Sequence, residues 1–192
     1  AERGVAIGYD SRRFSREFAK EAALVLASQG VRAYLFDALR PVPVLSFAVR
    51  RLNCLAGIVI TASHNPPKYN GYKVYWEDGG QLPPERADGI TEKLKDIGYF
   101  DAKPMDEQAA RAAGLLVTIG KDIDDRYIEA VKGLLVNPPL ACAMGKELKI
   151  VYTPLHGSGN VPVRRILKEI GIENVHVVPE QELPDGAFPT VR

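Results

Sequence analysis

Along this chain the apolar positions fall into two rhythms, and their alternation predicts the architecture. VAIGY (5–9) is apolar throughout and predicts a short buried strand. SREFAKEAALVLASQG (15–30) spaces its apolar residues for a helix, with Ser15 as cap and Gly30 as stop. VRAYLF (31–36) predicts a second strand, PVPVLSFAVRRLN (41–53) a helix opened by prolines, AGIVIT (56–61) a third strand and GYKVYW (71–76) a fourth. PPERADGITEKLKDI (83–97) and DIDDRYIEAVKGLL (122–135) predict helices, and VNPPLACAMGKE (136–147) a linker. A strand, glycine-rich turn and helix then restart in LKIVYTPLHGSGN (148–160) and VPVRRILKEIG (161–171), followed by the short strand VHVV (175–178).

Strands alternating with helices predict an α/β fold: a mixed, mainly parallel sheet with helices on both faces and right-handed crossovers. The third and fourth strands depart from that rule. Residues 62–70 between them are polar and turn-forming, and a parallel crossover needs a dozen residues or more, so this pair should be antiparallel. Residues 1–144 are expected to form one α/β domain. Residues 145–192 are expected to be the truncated start of a second, similar one, because the chain closes on PDGAFPTVR (184–192) with no terminating helix or strand.

Composition narrows the possible partners. With 192 residues, 46% of them hydrophobic, the chain can bury a sizeable core. Lysine plus arginine (25) nearly balance aspartate plus glutamate (24), so bulk charge gives no reason to expect nucleic acid or an anionic membrane. Any anion binding must be local. No apolar run approaches the ~18 residues needed to span a bilayer, and the start lacks the pattern of a secretion signal. Cys54 and Cys142 form neither a CxxC nor a metal-ligand spacing, which predicts reduced core thiols and a cytoplasmic setting.

The stretch TASHNPPKYNGYK (61–73) is where chemistry concentrates. In parallel α/β sheets ligands bind at the carboxyl ends of strands. Ser63 follows one such end, and Asp10, Ser11, Arg12 and Arg13 follow another, so the two turns should share one edge. An arginine fork near a serine hydroxyl suits a phosphate. Antiparallel return brings Lys73 back to the same edge. Gly71 would let the backbone pass close to a ligand, and Asn70-Gly71 would make a tight turn.

A serine hydrolase is the first rival. In an extended segment adjacent side chains point to opposite sides, so His64 is poorly placed to deprotonate Ser63, and no GxSxG elbow is present. Phosphoryl transfer, which relies on positioning and charge, fits better. Each residue also has an ordinary structural reading. Ser63 could be a turn hydroxyl, Lys73 a solvated strand lysine, His64 a backbone-bonded side chain and Arg12 an ion-pair partner of Asp10; Arg13 should face solvent. HGSGN (156–160) suits either an anion or a plain tight turn. Trp76 and tyrosines 69, 72 and 75 are expected to pack as core, and Asp124 and Asp125 to be solvated.

ITASHNPPKYNGYKVYWEDGGQ (60–81) resembles the phosphoserine loop of the α-D-phosphohexomutases, the phosphoglucomutase and phosphomannomutase superfamily. GYDSR (8–12) is similar to a further element of that family, and YTPLHGSG (152–159) and PDGAFPTV (184–191) resemble second-domain segments of its phosphoglucomutase and phosphopentomutase branch. The resemblance implies that Ser63 is the phosphorylated serine and, through its phosphate, a Mg²⁺ ligand. It implies that Lys73 is a general acid or base, that His64 contacts substrate or phosphate, and that Arg12 helps neutralise the phosphoserine. The implied reaction interconverts glucose 1-phosphate and glucose 6-phosphate through glucose 1,6-bisphosphate, with small-molecule sugar phosphates as partners. Phosphopentomutase and phosphomannomutase are the alternatives within the class. The alternative outside it is a catalytically incomplete phosphosugar-binding module, because the family's DGDxDR metal loop, sugar-recognition loop and second phosphate loop do not occur in these residues. The aspartate ligands of Mg²⁺ are therefore expected outside this chain, and the isolated piece is expected not to turn over.

Overall fold

A computed structural model describes residues 3–191. The strands β1 (Val5–Tyr9), β2 (Ala33–Phe36), β3 (Ala56–Ile60), β4 (Tyr72–Trp76) and β5 (Leu116–Ile119) form one sheet in the order β4-β3-β1-β2-β5. β1 pairs in parallel with β2 and β3, and β2 in parallel with β5. β3 and β4 pair antiparallel, as the short connection between them demands. This is the mixed, mainly parallel α/β sheet that the apolar rhythm predicts.

Strand alternation divides the core between the two faces. On one side Val5, Ile7, Tyr9, Ile58 and Ile60 meet Ala19, Ala23, Leu24 and Ala27 of α1 (Ser15–Ser28) and Ala110 of α4 (Glu107–Ala112). On the other side Ala6, Phe36, Val59 and Tyr75 meet Val44, Leu45, Ala48 and Val49 of α2 (Val42–Arg51) and Ile123 of α5 (Lys121–Lys132). β1 is buried at all five positions because it lies mid-sheet with both faces covered. Helix α2 lies so close to β3 that a Cβ on Gly57 would come within 2.6 Å of Val49 Cγ2. The amphipathic α3 (Pro84–Leu94) contributes no buried residue.

A second, parallel sheet pairs β6 (Lys149–Tyr152) with β7 (Asn174–Val177) through the crossover helix α7 (Asn160–Glu169). It meets the first unit where α7 packs beside α5, with Arg165 2.7 Å from Asp125 and Lys132 3.4 Å from Glu169. A single-turn α8 (Pro179–Glu182) follows β7. None of the helices among the described residues is long and apolar enough to cross a membrane.

Several expectations need correcting. The proposed linker contains α6 (Pro138–Met144): its two prolines occupy the first helical turn, where a missing N–H costs nothing, and Asn137 caps the Leu140 amide. β5 and α4 carry no element in the sequence reading, since LVTI is too short to declare a strand until β2 pairs with it. Ser15 does not cap α1; Phe14 occupies the cap position without a side-chain bond. Of the four aromatics only Tyr75 is core, because β4 is an edge strand, while Tyr69 and Tyr72 are exposed and Trp76 lies 4.7 Å beneath the Arg86 guanidinium. Asp124 is not simply solvated but accepts from Arg40 at 2.7 Å, and Asp125 pairs with Lys121 and Arg165.

Both cysteines are free thiols and Cys54 is buried, as expected, but Cys142 is exposed on α6 rather than in the core. Burial pushes the Cys54 thiol up to about 11. Because the thiolate is the reactive form, brief treatment of the folded chain with iodoacetamide near neutral pH should add one adduct, at Cys142. Peptide mapping that finds Cys54 alkylated at a comparable rate would contradict this packing.

Candidate active site

β3 stops at Ile60, and the loop returning to β4 passes through Ser63. This loop is not extended there. Ser63 has φ 57°, in the left-handed region that disfavours residues with a Cβ, and its Oγ lies 3.2 Å from Nδ1 of His64. The expectation that His64 points away from Ser63 is therefore overturned. Alternation of neighbours holds for extended backbone, and one left-handed residue swings the two side chains together. Both are exposed. The turn is kept by two local bonds, from the Ser63 N–H to the Thr61 hydroxyl (3.1 Å) and from the Asn65 N–H to the Ala62 carbonyl (3.0 Å).

Beneath the loop lies Arg12, only 6% exposed. One terminal nitrogen donates to the carbonyls of Pro66 and Tyr69, both at 2.9 Å. The other donates to those of Ser63 (3.1 Å) and Asn65 (2.6 Å). Its Nε sits 3.3 Å from Asp10 Oδ2 and makes no hydrogen bond. All four terminal N–H groups are thus committed to the loop backbone. The Arg12 fork, expected to face a phosphate, here bonds loop carbonyls, and its geometry shapes the loop. Arg13 is exposed.

Asp10 joins the two turns. Its Oδ1 accepts from the Arg12 amide (2.9 Å) and the Ser15 hydroxyl (2.8 Å), and its Oδ2 accepts from the Thr61 hydroxyl (2.6 Å). Asn70 closes the circuit, donating to Ser15 Oγ (3.0 Å) and the Arg13 carbonyl (3.1 Å) while accepting from the Gly71 amide (2.8 Å). The protein itself requires Gly71, since a Cβ there would lie 2.7 Å from the Thr61 carbonyl oxygen. Sequence reasoning did not see Asp10, Ser15, Thr61 and Asn70 as one network. The available signal was polar residues immediately after buried strands, because a buried polar group must find a partner.

Lys73 stands on β4 opposite Val59. It is half-buried, and among the described residues its ammonium makes no hydrogen bond or ion pair. No bond joins it to Ser63. The structure thus places Ser63 against His64, holds the carbonyls of Ser63 and Asn65 on either side of His64 from beneath with Arg12, and leaves Lys73 without a partner among the described residues. Nothing among the described residues hydrogen-bonds the other ring nitrogen of His64, so the Ser-His pair lacks the orienting carboxylate of a hydrolytic triad.

Metal binding by this chain alone has no support in the donor set. No group of three or more His, Cys, Asp or Glu among the described residues could hold an ion. Asp10, the carboxylate bonded into this loop, has both oxygens engaged. HGSGN serves as a turn whose groups bind protein: His156 is 3% exposed and bonds Leu183 and Thr190, and Asn160 donates to the Glu182 carbonyl.

A mainly parallel α/β unit with a serine displayed past a strand end, its loop held by a buried arginine, defines the class of site. Residues 1–100 match the family model described as phosphoglucomutase/phosphomannomutase, alpha/beta/alpha domain I, and residues 125–192 match that for alpha/beta/alpha domain II. The chain belongs to the phosphoglucomutase/phosphomannomutase family. It is 38% identical to a phosphoglucomutase of Staphylococcus saprophyticus over 97% of this chain and 33% of that protein. It is 35% identical to a probable phosphomannomutase of Haemophilus influenzae over 99% and 38%. It is 34% identical to a human phosphopentomutase over 100% and 32%. The crystal structure of a putative phosphomannomutase from Thermus thermophilus superposes with a TM-score of 0.81 at 29% identity, covering 98% of this chain and 39% of that one. The chain therefore spans about a third of the length of these curated relatives.

Replacing Arg12 by lysine keeps the charge but cannot reach four carbonyls. Hydrogen bonds to charged groups contribute ~1.5–3 kcal/mol each before relaxation. Arg12→Lys should lower the thermal unfolding midpoint and speed proteolytic cutting within residues 64–69, both measurable against the parent chain. Unchanged cutting would show that the loop does not depend on the fork.

Proposed function

We propose that this chain is the phosphoserine-bearing portion of a phosphosugar mutase, and that glucose 1-phosphate and glucose 6-phosphate are its exchange pair. The observation that carries the reading is the 3.2 Å approach of Ser63 Oγ to His64 Nδ1 on a loop held over a buried guanidinium. A serine hydroxyl is a weak nucleophile until a base takes its proton. With its own proton on Nε2, His64 presents a lone pair at Nδ1 to the Ser63 hydroxyl.

In the charging step, Ser63 Oγ attacks a phosphoryl group of glucose 1,6-bisphosphate. The new Oγ–P bond forms as the P–O bond to the sugar breaks, the serine proton passes to His64, and the departing sugar oxygen takes a proton from Lys73. Transfer from phosphoserine to the other sugar hydroxyl runs the same steps in reverse, and Oγ recovers a proton. Arg12 offsets the phosphate's negative charge through the loop it holds, and a positioned cation stabilises the charge spread over the transferring oxygens. Mg²⁺ is a proposed participant: phosphorylated Ser63 would offer it one phosphate oxygen, the described residues hold no carboxylate set for the remaining positions, and no step is assigned to it.

Relatives carrying three sugar-specific names match at similar identities, so pentose and mannose phosphates are the competing substrates. The absence of a carboxylate set among the described residues favours one second reading, a phosphosugar-binding module without turnover. Incubating the chain with glucose 1,6-bisphosphate and measuring intact mass separates the two. The charging reading expects one added phosphoryl group, absent from Ser63→Ala and slowed about 10²- to 10⁴-fold in His64→Ala, the usual range for loss of a general base. A mass that never changes in the parent chain leaves only the binding reading.

A further inference from the structure

We propose that residues 183–190 form a strap that sets the shape of the Ser63 loop, with Phe188 and His156 as positioning residues for phosphoryl transfer. The transfer part of this inference rests on the phosphoserine reading above; the loop-shaping part does not.

A guanidinium has an edge and a face. The edge of Arg12 is committed to the carbonyls of Ser63, Asn65, Pro66 and Tyr69. Its central carbon also lies over the ring of Phe188, 5.3 Å from the ring centroid. A cation over an aromatic face is attracted by the ring's negative potential, and more strongly where water is excluded. Phe188 therefore restrains the tilt of the group that fixes four points of the loop.

Phe188 is itself held in place. It adopts φ 48°, and its amide donates to the Asp185 carbonyl at 3.1 Å, while Asp185 Oδ1 accepts from the Ala187 amide at 2.8 Å. At Gly186 the strap lies directly on the backbone after β1. A Cβ there would meet the Arg13 nitrogen at 2.8 Å, the Ser11 carbonyl oxygen at 3.0 Å and the Arg12 carbonyl carbon at 3.2 Å.

The far side of the strap is gripped by His156. Its Nδ1 lies 3.0 Å from the Leu183 carbonyl oxygen and its Nε2 2.9 Å from Thr190 Oγ1. A carbonyl only accepts, so Nδ1 carries the proton, and in the neutral ring Nε2 then accepts from the Thr190 hydroxyl. One ring thus ties both ends of the strap together. His156 sits in the turn between β6 and α7, so the contact runs from the second sheet, through the strap, to the loop that displays Ser63.

The test uses the 192-residue chain with Phe188→Ala, Phe188→Leu, Phe188→Tyr and His156→Gln. Two quantities are read: hydrogen exchange of the amides in residues 62–71, and the rate of phosphoryl uptake from glucose 1,6-bisphosphate at saturating donor. Phe188 is only half-buried, so its truncation leaves both cores intact. Phe188→Ala and Phe188→Leu should each speed loop exchange by a factor of about 5 to 30, the size of a lost desolvated cation–π contact, and slow uptake by about tenfold or more. Phe188→Tyr, which keeps the ring, should restore both, and His156→Gln should shift both in the direction of Phe188→Ala. Leucine behaving as phenylalanine, or loop exchange unchanged in Phe188→Ala, would overturn the proposal. A parent chain that takes up no phosphoryl group sinks the phosphoserine reading instead, while loop exchange still decides whether the strap acts.

Discussion

A buried guanidinium among backbone carbonyls is the constraint on which this site depends. Arg12 could be taken out of water because Asp10 stands beside its Nε and four carbonyls of one loop accept from its terminal nitrogens. A buried charge without such partners would be strongly destabilising. The relation also works in the other direction. Loop carbonyls that face inward need donors, and no segment of regular structure is available to supply them. The loop from Ser63 to Tyr69 thus follows a backbone path that satisfies Arg12, and on that path Ser63 is left-handed and its hydroxyl meets His64.

The sheet makes this arrangement possible. β1 and β3 are adjacent and parallel, so the turns that leave their carboxyl ends lie side by side, and Asp10 can reach Thr61 while Arg12 reaches beneath Ser63. Core packing on both faces holds the two strand ends rigid, which is what a site built on loops requires. The antiparallel return through β4 brings Lys73 back toward the same edge with no competing partner. Among the described residues the Lys73 ammonium is thus left without a protein partner, while the terminal nitrogens of Arg12 are committed to the loop.

Membership of the phosphoglucomutase/phosphomannomutase family accords with this geometry, and the match to both domain descriptions runs through residues 1–100 and 125–192. Contacts between the two units differ in kind. Ion pairs between α5 and α7 are partly exposed and weakly stabilising. The Phe188 contact on Arg12 is different in kind, because it touches the group that organises the loop.

Much of the fold was legible from the chain alone. β1, α1, α2, β3 and β4 follow from apolar period and from punctuation by Gly and Pro, and the antiparallel pair follows from the length of residues 62–70. Ser63 and His64 were legible as candidates because their residue types carry the chemistry. What the chain could not disclose was orientation. Side-chain direction at Ser63 depends on a single positive φ, and the fate of Arg12 depends on carbonyls more than 50 positions away. β5 and α6 stayed hidden because short elements draw their stability from partners rather than from their own pattern. Local periodicity and loop length thus determined the scaffold and the candidate residues. Long-range hydrogen bonding, available only once β1 and β3 are side by side, decided that the arginine shapes the loop from inside and the serine meets its neighbour's ring.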